Sequence, residues 1–186
     1  MGAPRAIEPE EIAAGRLQLR PPHEGEAADT LAMLLDPDVV QWNPVPGVHD
    51  EDAARDWCRR AGDWTSGTHA TFSVLDATTA RLLGHVSLHH VDRDAATADL
   101  GYRVAPWARG EGVATTAVAA VTRWALAALD IRCIQLFHTV ANTASCRVAT
   151  SCGYVYERTL EQSYAGSDGL RYDEHLHVVR TAATPR

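Results

Sequence analysis

The amino-acid sequence predicts an α/β (α+β) protein built on a single mixed, mostly antiparallel sheet of about seven strands with helices on both faces. Three observations predict it. Strand-like and helix-like segments follow in the order strand, two helices, three strands, helix, strand, helix, two strands. The run YRVAPWARGEGVA at residues 102–114 passes from a strand through a glycine turn into a long Ala-rich helix. The next strand, at 132–140, is therefore expected to lie parallel to the strand at 97–104 through a right-handed crossover. Finally, no internal repeat or low-complexity linker divides the 186 residues, so residues 16–180 read as one domain.

Residues 1–15 are polar, rich in Pro and Glu and without period, and are expected to form a loose N-terminus. Leu17 and Leu19 precede Arg20-Pro21-Pro22, a short strand that the prolines end. Over 24–35, Ala27, Leu31, Leu34 and Leu35 fall at helical spacing, and Asp36-Pro37 closes the segment. A second helix is predicted over 50–64, with Ala53, Trp57, Ala61 and Trp64 on one face. Its first turn is acidic, and Arg59 and Arg60 lie toward its C-terminus, as the helix dipole prefers. Between these helices lies Gln41-Trp42-Asn43-Pro44-Val45-Pro46-Gly47, where proline and glycine forbid regular structure; Trp42 either plugs the core or touches a ligand there.

Strands are predicted at 71–75, 82–91 and 97–104. The helix over 110–129 carries Val113, Ala117, Val121, Trp124 and Ala128 along one stripe. A short helix over 142–152 is marked by Asn142 at its N-cap and Gly153 at its C′ position. Residues 154–160 and 173–179 read as a closing hairpin, and 181–186 as a loose tail.

Composition excludes several function classes. The net charge of −7 disfavours nucleic acid as a partner. No apolar run approaches the eighteen or so residues a membrane helix needs, and no signal segment opens the chain, so a cytoplasmic protein is expected. Cys58, Cys133, Cys146 and Cys152 show no Cys-x-x-Cys spacing and read as reduced, buried small hydrophobes. All 17 basic residues are arginine, so no lysine can act as nucleophile, base or Schiff-base former.

Strand, glycine turn and helix start form a concave cradle of backbone N–H groups, where a protein binds a phosphate. Gly110 and Gly112 let a ligand approach the backbone without a Cβ in the way, and the free N–H groups of the first helical turn carry partial positive charge. A nucleoside-triphosphate loop requires a lysine, which the chain lacks, and the dinucleotide fingerprint requires a small residue where Thr115 stands. What remains is Arg109-x-x-Gly112-x-Ala114. That pattern resembles the pyrophosphate-binding motif of the GCN5-related N-acetyltransferases (GNAT), whose backbone amides hold acetyl coenzyme A.

A second motif strengthens the resemblance. After the strand at 132–140 the chain reads Asn142-x-x-Ser145-x-x-Val148-Ala149-x-x-x-Gly153-Tyr154. This is similar to a segment of the branch that includes the ribosomal-protein alanine acetyltransferases (RimJ/RimL-like). Leu17-x-Leu19-Arg20-Pro21, Asp36-Pro37, Trp42, Trp57 and Leu100-Gly101-Tyr102 also resemble that branch, and the likeness runs from Leu17 to Val179. A cap and the residue three later both face the opening of their helix, so Asn142 and Ser145 can turn toward one ligand.

The resemblance implies a GNAT fold with a splay between the two central parallel strands, acetyl-CoA as cofactor, and transfer of its acetyl group to a primary amine of a peptide or small molecule. It implies cofactor contacts from Tyr102, Arg103, Val104, Arg109, Gly110, Glu111, Gly112, Val113, Ala114, Asn142 and Ser145. Asn142 would bond the pantetheine arm and Ser145 would protonate the departing thiolate. Backbone N–H groups at the end of the Tyr102 strand would meet the oxyanion if a bulge opens the parallel pair there. The family's glutamate base falls in register on Tyr164, a departure from the pattern. Family members are often dimers, and the chain-terminal hairpin is expected to leave an edge that could pair or pack across a two-fold, so a homodimer is expected.

Strand parity supplies further candidates. His85, Ser87 and His89 share one strand face, and Asp99 and Arg103 another; polar residues inside a helix-covered sheet are costly unless they line a cleft. Asp99, with Ser145 and Tyr164, is a candidate for the proton steps, and Trp42, Asn43, His85 and His89 are candidates for the substrate side. His85, His89, His90, His175 and His177 invite a zinc reading, but no cysteine or carboxylate completes a set at ligand spacing, so no metal is expected. The rival reading is a non-catalytic module that keeps the fold and binds an acyl-CoA or a partner protein.

Overall fold

The chain opens with two strands, β1 (Ile12–Ala14) and β2 (Leu17–Arg20), which reverse at Gly15, where φ is 62°. A 3-10 turn (Glu24–Glu26) leads into helices α1 (Ala27–Leu34), α2 (Pro37–Trp42) and α3 (Glu51–Ala61). Three strands follow, β3 (Ala70–Asp76), β4 (Leu82–Asp92) and β5 (Thr97–Val104), and then α4 (Val113–Ala128), β6 (Cys133–Thr139) and α5 (Thr143–Ser151). The hairpin β7 (Val155–Ala165) and β8 (Arg171–Arg180) ends the fold. The computed structural model describes residues 5–181; apart from Thr181, the tail expected over 181–186 lies outside them.

The strands form one sheet in the order β1-β2-β3-β4-β5-β6-β8-β7, eight rather than the seven expected. All neighbours are antiparallel except β5 and β6, the parallel pair that the crossover through α4 demands. The extra strand corrects the reading of residues 1–15 as loose throughout. Ile12 to Ala14 pair with β2, and Ile7 is buried with its N–H bonded to the Trp64 carbonyl. Alternating apolar and polar residues are too few in a three-residue strand to signal it.

Helix α2 stands where the sequence reading places only the end of α1 and an irregular stretch, and the cause is local. Asp36-Pro37 ends α1, but it also starts a helix: the Asp36 carboxylate accepts from the N–H groups of Asp38 and Val39, and Pro37 occupies the first turn where no N–H is needed. Asp50 caps α3 in the same way through the Ala53 N–H. The closing hairpin is reordered as well. Strand β8 lies between β6 and β7, so the edge that the hairpin leaves free is β7, while β1 forms the sheet's other edge; Val155 and Tyr156 are exposed on β7.

Helices α4 and α5 cover one face of the sheet, and α1 and α3 the other. Under α4, Trp64, Phe72 and Trp124 pack with ring centroids 4.8 to 5.9 Å apart, and Val113, Ala117, Val118, Val121 and Ala125 bury the helix stripe. The α1 and α3 face is more polar, and its buried groups are mostly paired. Thr71 and Ser87 share a hydrogen bond of 3.0 Å, and Ser73 donates to Glu26, which Arg20 meets at 2.6 Å.

Where β4 meets the end of β5, Gly84 stands opposite Val104, and a Cβ at residue 84 would lie 2.3 Å from the Arg103 carbonyl oxygen. That contact is with backbone, so it cannot be relieved by rotating a side chain. Gly84→Ala is expected to lower unfolding stability by about 1 to 3 kcal/mol, the usual cost of overpacking. Denaturant unfolding with an unchanged midpoint would show that β5 can yield.

Candidate active site

Pairing between β5 and β6 covers three residue pairs, Thr97 to Asp99 with Cys133 to Gln135, and then stops. Beyond it the strands diverge. Leu100 to Val104 on one side and Leu136 to His138 on the other line a cavity of about 480 Å³, closed by the turn before α4, the start of α5 and the end of α2. This size suits a small-molecule site. The opening comes from divergence rather than from a bulge at Tyr102 to Val104, because β4 and β5 stay in regular register from Gly84/Val104 to His89/Asp99 and shift only beyond His89.

The glycine turn supplies the cavity's polar end. Gly110 and Gly112 have φ of 77° and 75°, a conformation that glycine adopts without strain, and apart from each glycine's chain neighbours no atom of the described residues lies within 4 Å of where either Cβ would stand. Gly112 caps α4 without a side chain. The first N–H groups of the helix therefore need a partner from outside it. Gly110, Gly112, Val113, Ala114 and Thr115 all line the cavity. Glu111 does not; its carboxylate pairs with Arg16 at 2.6 Å on the outer surface.

Arg109 lines the cavity, but its charge is already matched. Its guanidinium donates to Asp36 and, at 2.8 Å, to Asp38, which ties the turn to the start of α2. Burial works against ionisation of Asp36, yet the Arg109 bond and the N–H groups of Val39 and Asp38 outweigh it and hold the carboxyl below its usual range. Arg147 on α5 also lines the cavity, is exposed, and has no carboxylate partner among the described residues. An isolated arginine inside a helix carries no pattern by which the sequence could have singled it out.

Helix α5 delivers the next pair. The Asn142 Oδ1 accepts from the Ser145 N–H at 3.0 Å, so Asn142 caps the helix and keeps its Nδ2 amide free to donate. Ser145 is buried, and its Oγ accepts from the Tyr102 hydroxyl at 3.0 Å. Burial raises the Tyr102 pKa above the ordinary phenol value, so it stays a donor and leaves the Ser145 O–H free to turn into the cavity.

At the other wall Trp42 and Asn43 reach the cavity, and Trp42 is only half-buried; it touches the site rather than plugging the core. Asn43 is held on three sides: its Nδ2 donates to the Tyr102 carbonyl at 3.0 Å, and Arg103 donates to its O at 3.0 Å and its Oδ1 at 2.9 Å. Withdrawal from water lowers the Arg103 pKa to about 10, which leaves it cationic at neutral pH. His89 does not line the cavity; it is exposed at its rim, beside Gly101.

Three expected residues stand elsewhere. His85 is fully buried under α3, its ring centroid 4.8 Å from that of Trp57, and neither ring nitrogen has a partner among the described residues, so it cannot meet a substrate. Asp99 does not line the cavity and is paired with His90 at 2.8 Å. Tyr164 also lies outside the lining; its hydroxyl donates to the Gln41 carbonyl at 3.1 Å and so braces the end of α2 from β7. The reading that no cysteine completes a histidine set is corrected as well, since His138, Cys146, His175 and His177 converge within 4.8 Å.

A family model described as acetyltransferase (GNAT) domain matches residues 16–155. An uncharacterized N-acetyltransferase p20 of Bacillus licheniformis is 26% identical over 163 residues, 87% of this chain and 90% of that protein. Among solved structures, a RimL ribosomal L7/L12 alpha-N-protein acetyltransferase in complex with coenzyme A superposes with a TM-score of 0.84 at 19% identity, over 94% of this chain and 100% of that one. Mycobacterium smegmatis RimJ in complex with CoA-disulfide gives 0.82 at 23% identity, over 98% and 90%. The ribosomal-protein-S5-alanine acetyltransferase of Vibrio fischeri gives 0.83 at 17%, over 95% and 100%.

The buried imidazole of His85 has a consequence for acid stability. Burial, aided by the Arg103 cation, lowers its pKa from 6.5 to about 3, so below the ordinary value the unfolded chain binds a proton that the folded chain refuses. Stability is then lost as pH falls from about 6.5 toward about 3. Between about pH 7 and about pH 5, His85→Leu should lose about 2 kcal/mol less than the unsubstituted protein. Equal losses in urea titrations at the two pH values would show that His85 is solvated or protonated in the fold.

Proposed function

Because the chain belongs to the GNAT acetyltransferase domain family, we propose that it moves the acetyl group of acetyl-CoA to a primary amine by direct attack in a ternary complex. The observation that carries this reading is the splayed β5–β6 cavity, with uncapped α4 amides at one end and the Tyr102–Ser145 pair in its wall. The cradle fits a pyrophosphate, since the space that two Cβ atoms would fill in front of Gly110 and Gly112 is open. The N–H groups of Gly110, Gly112, Val113 and Ala114 would hold it, Arg147 offers a cation to a further phosphate, and the Asn142 amide and the unpaired edge of β5 offer hydrogen bonds to an extended amide-bearing arm.

In the reaction the neutral amine nitrogen bonds to the thioester carbonyl carbon, the C–S bond breaks, and the sulfur leaves with the electron pair. The free Ser145 O–H donates a proton to that sulfur, and the Tyr102 hydroxyl donates to Ser145 Oγ in the same direction. Ser145 is the catalytic acid here and Tyr102 its positioning residue. The proton lost by the amine passes to water. Among the described residues Asp38 is the sole carboxylate of the cavity lining and is occupied by Arg109, so no side-chain base is assigned. The Arg103 cation near Asn43 favours the neutral amine over its ammonium form, which is the form that attacks.

The acceptor is a protein N-terminus or a small-molecule amine, entering past Trp42, Asn43 and His89. If two copies associate, the free β7 edge with Val155 and Tyr156 is one surface available to them, and light scattering at micromolar concentration that gives the monomer mass removes that reading.

A panel of N-terminal peptides, polyamines and aminoglycosides, followed by release of free coenzyme A thiol, tests the activity. Thiol release with at least one amine is expected; tight acetyl-CoA binding with no release from any would favour a binding module instead. Two variants separate the parts. Gly112→Ala should weaken acetyl-CoA binding by about tenfold or more in calorimetry, because its methyl group occupies the phosphate cradle. Ser145→Ala should leave that affinity nearly unchanged and lower kcat roughly ten- to a thousand-fold. An unchanged affinity in the first would place the phosphates elsewhere, and an unchanged kcat in the second would mean that the site works by positioning alone.

A further inference from the structure

Away from the acyl-transfer chemistry, the same α5 that carries Ser145 drops Cys146 onto a patch of imidazoles. His175 and His177 share one face of β8 because they are two residues apart, and the β6–β8 register sets His138 opposite His175 on that face. Helix α5 lies over it, with Cys146 Sγ 3.9 Å from His177 Nε2. The rings of His138 and His177 are stacked at 5.1 Å, and those of His138 and His175 meet edge-on at 5.4 Å. One ligand-type atom from each of the four residues lies within 4.8 Å of the other three. His138 borders the cavity, while Cys146, His175 and His177 do not line it.

We propose that His138, Cys146, His175 and His177 bind one divalent zinc ion that pins α5 to β6 and β8. The donor set is three nitrogens and one sulfur with no oxygen, the chemistry that selects zinc over magnesium or calcium, and four protein ligands make a closed, structural site. His138 is already in the ligand tautomer. Its Nδ1 lies 2.8 Å from the Thr139 carbonyl, which can only accept, so Nδ1 carries the proton and Nε2 the free lone pair.

That Nε2 is buried without a partner among the described residues, and so is Nδ1 of His177. Leaving two buried nitrogens unpaired is costly, and a metal bound to Nε2 removes the cost at His138. Packing of neutral rings alone would not call for three imidazoles and a thiol around one point. Zinc bonds of about 2.0 to 2.3 Å need the ligand atoms drawn in by roughly an ångström, within reach of side-chain rotation at the half-buried Cys146 and His175.

The test uses the full chain stripped with a chelator and then titrated with zinc alone against a chromophoric competitor, with cobalt(II) as the spectroscopic probe. One zinc per chain is expected, with cobalt giving the ligand-field bands of a four-coordinate site and a thiolate charge-transfer band. Cys146→Ser should abolish the charge-transfer band, and Cys146→Ser and His175→Ala should each weaken zinc binding by about tenfold or more. Both residues are half-buried, so circular dichroism should show both variants folded. Zinc should also raise the Tm of the unsubstituted chain by more than that of Cys146→Ser at the same zinc concentration. The proposal is overturned if the stripped chain takes up no zinc at about 10 μM, a modest demand for a structural zinc site. It is equally overturned if both variants bind zinc and cobalt as the unsubstituted chain does, which would mark the uptake as adventitious.

Discussion

Everything functional in this molecule depends on two parallel strands that stop pairing. Past Asp99 and Gln135, β5 remains bonded to β4 and β6 to β8, so neither strand loses its place in the sheet when the pair opens. The facing edges are rows of backbone donors and acceptors in the middle of a protein, and such groups are costly if nothing answers them. An extended ligand with its own amides would answer them as a further strand does. The cavity is thus a gap in the hydrogen-bond ladder as much as a hollow between side chains.

A gap of this kind persists only if its walls are fixed from outside. On one side the Arg109 guanidinium binds Asp36 and Asp38, so the start of α2 and the glycine turn move as a unit. The end of α2 is fixed in turn by Asn43, which exchanges hydrogen bonds with Tyr102 and Arg103, and by the Tyr164 hydroxyl on the Gln41 carbonyl. The opposite wall, α5, is tied by the Asn142 cap and by the Tyr102–Ser145 hydrogen bond. Arg109 and Tyr164, which the motif and its register suggested as ligand and base, act in this structure as struts.

The polar residues of the central strands divide by the same logic. On the α1 and α3 face, Thr71, Ser87, Ser73 and Glu26 satisfy one another, and Arg103 is solvated by Asn43. Parity correctly grouped His85, Ser87 and His89, and Asp99 with Arg103, but parity says nothing of which helix lies above each position. His85 falls under Trp57, His89 at the rim and Asp99 beside His90, so three residues of one face meet three environments.

What the sequence determined by itself is whatever short-range physics controls. The β5 limits, the glycine turn before α4 and the Asn142 cap of α5 each depend on residues a few places apart, and each was readable. A competing local signal misled once, at Asp36-Pro37, where a helix stop is also a helix start. Tertiary structure alone decided the rest, because it joins residues whose separation in the chain carries no pattern. Pairing β8 to β6 made β7 the edge strand of the closing hairpin; Arg16 drew Glu111 away from the cavity; and the β6–β8 register with α5 above it gathered His138, Cys146, His175 and His177. Strand order and helix placement are set by the summed burial of the whole core, and no window of neighbouring residues contains that sum.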